Sequence, residues 1–77
     1  MPRLPRVSAR ELIRALEKEG FVFSRSKGSH RIYRHPGTGK RVTVPYHAGR
    51  TIPPGTLANI LREAGIDRDE LRELLGR

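Results

Sequence analysis

The chain of 77 residues has no cysteine and no tryptophan, and only two phenylalanines and two tyrosines. Without thiols, disulfide staples and thiolate metal sites are excluded, and nothing in the composition asks for an oxidising compartment. No apolar run approaches the roughly 20 residues of a membrane span. The N-terminal MPRLPRVSAR lacks the apolar centre of an export signal. A cytoplasmic protein with no membrane partner is the expectation. A further absence says more: no Asp or Glu occurs between Glu19 and Glu63, an interval that holds Arg25, Lys27, Arg31, Arg34, Lys40, Arg41, Arg50 and all three histidines. Within a net charge of +8, residues 1–50 carry twelve Lys/Arg against three Glu, whereas residues 51–77 carry four Arg against five acids. Such a one-signed block focuses a positive field and favours a polyanion. The plainer reading is a solvated basic face with no dedicated partner.

What is present reads as one domain over residues 1–77, since a chain this short buries only about 60% of its extended surface and has material for one core. Residues 1–6 are rich in Pro and Arg and are expected to be disordered. Ser8 with Glu11 makes a capping box, Val7 with Leu12 a hydrophobic staple, and Ala9, Leu12, Ile13 and Leu16 one helical stripe that Gly20 stops. The period then changes. FVFSRS, SHRIYRH and KRVTV read as three strands of an antiparallel meander, joined by a tight turn at Lys27-Gly28 and a longer one through Pro36, Gly37 and Gly39. After PYHAGRTIPPG, either Pro53 or Pro54 suits the first turn of a second helix, whose buried stripe is Leu57, Ile60, Leu61 and Ala64 before Gly65. Asp67 with Glu70 repeats the capping grammar for a short helix over 67–76, which is expected to close the core through Leu71, Leu74 and Leu75. The predicted class is α+β, in the order α-β-β-β-α plus a short C-terminal helix, with a three-stranded antiparallel sheet and helices on one face.

Several chemistries fail on spacing. His30 and His35 are an odd number of residues apart on one strand, so they face opposite ways and cannot easily share a metal ion. HPGTGKRVT lacks the spacing, the Ser/Thr and the following helix of a nucleotide-binding P-loop. Ser29 precedes His30 directly, which sends the two to opposite faces with no acid nearby for a nucleophilic triad. A histidine acting on RNA needs less. The ribose 2′-OH is the nucleophile, and the protein supplies proton transfer and positive charge at the phosphate. His30 amid Lys27, Arg31 and Arg34 has those parts, with Gly28 letting the backbone come close. His47 and Arg50 approach the start of the second helix, where backbone N–H groups near Gly55 can receive a phosphate; an exposed loop histidine is the alternative. Arg10 and Arg14 share a face of the first helix and form a secondary site, partly neutralised by Glu17. Phe21 and Phe23 are expected to share a sheet face, which leaves Tyr33 and Tyr46 as the only groups for base stacking.

GSHRIYRHP, followed by RVTVPYHAGRTIPPGTLANILREAGI, resembles the HicA (YcfA-like) toxins of toxin-antitoxin pairs, and the likeness runs from SARELIRALEKEGF through Ile66. The resemblance implies a double-stranded-RNA-binding-domain-like fold and ribosome-independent cleavage of mRNA. It implies His30 as the single catalytic residue, with no metal and no small-molecule cofactor. It also implies a HicB-type antitoxin as the protein partner. RNA contacts are expected from Lys27, Gly28, Ser29, Arg31, Arg34, Lys40, Arg41, His47 and Arg50. Two other readings share the charge: an RNA-binding module that does not cut, and a surface for an acidic protein. One difficulty stands at His30. Alternation puts it on the face of Ile32, so if Ile32 is core, His30 has to work from the rim, at the first residue of its strand.

Overall fold

The computed structural model describes residues 4–77. Helix α1 (Ala9–Glu19) starts at Ser8, whose hydroxyl accepts from the Glu11 N–H while the Glu11 carboxylate accepts from the Ser8 N–H. That backbone N–H, aided by the Arg77 guanidinium, holds the Glu11 carboxyl below the usual carboxylate range. The helix ends in Gly20 at φ 110°, a conformation in which a side chain would also run into the His35 ring. Strands β1 (Val22–Lys27), β2 (His30–Arg34) and β3 (Arg41–Pro45) then form an antiparallel meander in that order. Helix α2 (Pro54–Ala64) has Pro53 as its N-cap and Pro54 as its first residue, and α3 (Arg68–Leu75) starts from the Asp67–Glu70 capping box. The order of elements and the antiparallel sheet are those expected from the sequence.

The core lies between the helices and one sheet face. Leu12 and Leu16 of α1, Leu57 of α2, Leu71 of α3 and Val42 and Val44 of β3 are all fully buried. Val7 joins them, its carbonyl accepting from Ile52 N at 2.8 Å, which ties the segment before α1 to the connection before α2. Residues 1–3 of the segment expected to be disordered lie outside the described residues; Leu4 is half-buried against the core, and the Arg6 carbonyl accepts from Arg77 Nη1 at 2.9 Å.

The helices pack on β3, and β2 joins the core through Tyr33, but the six residues of β1 are all exposed. Val22 and Phe23, 55% and 50% exposed, are the large hydrophobic residues left at this edge. Parity is reset in the same strand. Phe23 pairs with Tyr33 and Arg25 with Ile32, so Ser24 is an extra residue, a β-bulge, and Phe23 and Arg25 face opposite sides of the sheet.

Candidate active site

Cross-strand partners share a face, so the register assigns every side chain of the sheet. Arg31, Tyr33, Val42 and Val44 lie on the helix side, with Ser26 opposite Arg31 and Phe23 opposite Tyr33. His30, Ile32 and Arg34 lie on the open side, opposite Lys27, Arg25 and Val22 on β1 and opposite Pro45, Thr43 and Arg41 on β3. Ile32 is therefore not core. It is half-buried among open-face neighbours, and the difficulty over His30 disappears because no helix covers that face.

His30 is exposed at the first residue of β2. Lys27 stands directly across from it, which puts the two Cβ atoms about 5 Å apart, and Arg25 is the diagonal neighbour at about 7–8 Å. The Gly28-Ser29 turn between them has Gly28 at φ 60°, with nothing within 4 Å of where a side chain would begin. The Ser29 carbonyl accepts from Tyr46 N at 2.6 Å, which fixes the turn to the end of β3. Pro45, the other cross-strand partner of His30, forms one wall of a cleft of about 320 Å³ that His47, Arg50, Thr51 and Thr56 also line. The cleft leads to the start of α2, whose first turn has neither an acidic residue nor a side-chain cap. Lys27, Arg25, His30, His47 and Arg50 thus occupy one end of the molecule. Arg34 and Arg41 face each other on the open side, about 13 Å further along β2 from His30.

Two of the expected RNA-contacting residues stand elsewhere. Arg31, one residue after His30, points to the helix side, where its guanidinium sits 3.8 Å from the centre of the Tyr46 ring. Strand alternation removes it from the face of His30. Lys40 lies at the far end of the β2–β3 hairpin, its ammonium against Gly65 where α2 ends, a favourable place for a cation beside exposed helix carbonyls. The stacking expectation is also corrected. Tyr33 is 3% exposed, and burial, with the Glu17 charge adding to it, pushes its phenol up, while the half-buried Tyr46 ring is already occupied by Arg31.

His35 lies on the helix side, away from His30. Its Nδ1 accepts from the Gly37 and Thr38 N–H groups at 3.0 and 3.1 Å, so Nε2 carries the ring hydrogen and donates it to the Glu19 carbonyl at 3.1 Å. Its ring also meets Phe21 edge-on at 5.2 Å. It closes the C-terminus of α1. Arg25 is the residue that sequence reasoning left out of the site: in unbroken alternation it shares the face of Phe21 and Phe23, and only the bulge turns it toward His30.

A family model described as the HicA toxin of bacterial toxin-antitoxin matches residues 9–66, from the first residue of α1 to just past α2. The chain belongs to the HicA toxin family. Among curated proteins it has no match. As a HicA toxin it has an antitoxin as its partner. The matched span contains the whole sheet, the His30 turn and the His47 cleft, and leaves α3 outside it. Among the described residues, no helix is long and apolar enough to cross a membrane.

Proposed function

We propose that this HicA chain is an endoribonuclease that binds and cuts mRNA, with His30 as its catalytic residue and a HicB-type antitoxin as the protein that covers the site. The observation that carries the reading is the exposed imidazole at the start of β2, on an uncovered sheet face, with Lys27 directly opposite and Arg25 beside it. In the reaction the ribose 2′-oxygen attacks the adjacent phosphorus, the bond from phosphorus to the 5′-oxygen breaks, and a cyclic phosphate and a 5′-hydroxyl result. His30 takes the 2′-OH proton or donates to the leaving oxygen, with water as the other partner, while Lys27 and Arg25 offset the charge that develops on the phosphate. No group in this scheme needs a metal. In this reading His47 and Arg50, which line the cleft beside Pro45, hold a neighbouring phosphate, aided by the free N–H groups at the start of α2. Gly28 and Ser29 contribute the backbone turn rather than charge.

The test is cleavage of an end-labelled RNA in the presence of a chelator by wild type and by His30→Ala. The variant is expected to fold and bind RNA but to lose about 100- to 10,000-fold in rate, the usual contribution of one proton-transfer group. If rigorously purified His30→Ala still cuts at the wild-type rate, the assignment is wrong. If wild type binds without cutting, the same face belongs to a binding module.

A further inference from the structure

Building on the nuclease reading above, we propose that the RNA is held as a single strand laid across the open face of the sheet, gripped by Arg25, Lys27, Arg34 and Arg41, and is not a duplex held from the helix side. All four cations are exposed and share the face of His30, Arg25 doing so while Phe23 faces the helices because Ser24 is a bulge between them. They frame a patch about 13 Å along β2 and about 10 Å across three strands, with Ile32 and Thr43 at its middle. A patch of that size suits a few nucleotides of one strand. Duplex readers of this fold class instead span about 16 base pairs through contacts on separate elements. Of the first-helix cations available for such contacts, Arg14 belongs to the layer on the opposite side of the sheet from His30, while Arg10 lines a hollow beside His47 past the end of β3.

The chemistry points the same way. Attack by a 2′-oxygen needs that oxygen, the phosphorus and the leaving 5′-oxygen close to one line, and productive alignment of this kind carries much of the rate. Stacked A-form geometry holds the 2′-oxygen to the side, whereas a single strand rotates into line. None of the four aromatic residues lies on the open face. Bases therefore gain little from stacking, and affinity is electrostatic and tolerant of sequence.

The test uses the full chain carrying His30→Ala, so that RNA stays intact, with fluorescence anisotropy against a short unstructured oligoribonucleotide and against the same strand annealed to its complement. Tighter binding of the single strand is expected. Arg25→Ala and Arg41→Ala should each weaken it severalfold and reduce the log–log salt slope by about 0.7, while Arg14→Ala leaves both nearly unchanged. Equal or tighter duplex binding overturns the proposal, as does a loss with Arg14→Ala equal to that with Arg25→Ala, or no loss with either open-face substitution. The two readings fail separately: a wild type that cuts while Arg25→Ala and Arg41→Ala both bind normally removes only the strand path, and open-face variants that lose affinity beside a wild type that does not cut remove only the nuclease.

Discussion

Two histidines five residues apart have opposite employment. His30 has no helix over it and faces solvent from the start of β2, whereas each ring nitrogen of His35 is engaged by backbone, Nδ1 by two N–H groups and Nε2 by the last carbonyl of α1. His35→Ala therefore removes an aromatic edge contact and the link between β2 and α1. It should destabilise the fold by about 2 kcal/mol, read as a lower urea midpoint with an unchanged slope, while RNA cutting by the folded protein is retained. An equal loss of cutting would give His35 a part in the site. Their separation was legible in the sequence, because strand parity needs only counting. The bonds of His35 were not, since the Glu19 carbonyl comes from an element sixteen residues away.

Among the elements, β1 carries the most consequence for its length. A bulge accommodates one more residue than its partner strand, and here the extra residue is Ser24, which leaves Phe23 toward the helices and Arg25 and Lys27 toward the open face. Deleting Ser24 restores regular alternation with Phe23 and Arg25 still on opposite sides, so the variant should keep its fold and its RNA affinity. Deleting Ser26 instead moves either Lys27 or Arg25 off the face of His30 and should lower affinity; circular dichroism melts with anisotropy binding compare the two. Similar affinities for both deletions would mean that the facing of β1 does not matter to RNA. The helices, by contrast, read directly from the chain, because capping boxes at Ser8–Glu11 and Asp67–Glu70 and left-handed glycines at Gly20 and Gly65 are local motifs. A bulge has no such signature. Ser24 is an ordinary serine in an ordinary strand pattern, and it becomes an extra residue only when β2 sets the register.

At the scale of the molecule, stability and charge occupy different layers. Helix α3 packs on α1, contributes the fully buried Leu71, and carries Asp69, Glu70 and Glu73 away from the sheet's open face. Leu71→Ala should cost about 2–5 kcal/mol, the transfer and cavity terms of a buried leucine. Cutting measured well below the lowered melting temperature should nevertheless stay near wild type. A variant that remains folded but has lost activity would tie α3 to the site.

The sequence by itself determined the order of elements, the helix ends, the apolar stripes, the acid-free basic interval and the candidacy of His30, because each of these depends on neighbours within a few positions or on a simple sum of charge. Only the tertiary structure decided which cations stand with His30. It took Arg31 to the helix side against Tyr46 and Lys40 to the end of α2, kept Lys27 opposite the imidazole, and brought in Arg25. The physical reason is register: a side chain's face depends on pairing with another strand, and a single extra residue reverses the face of everything after it.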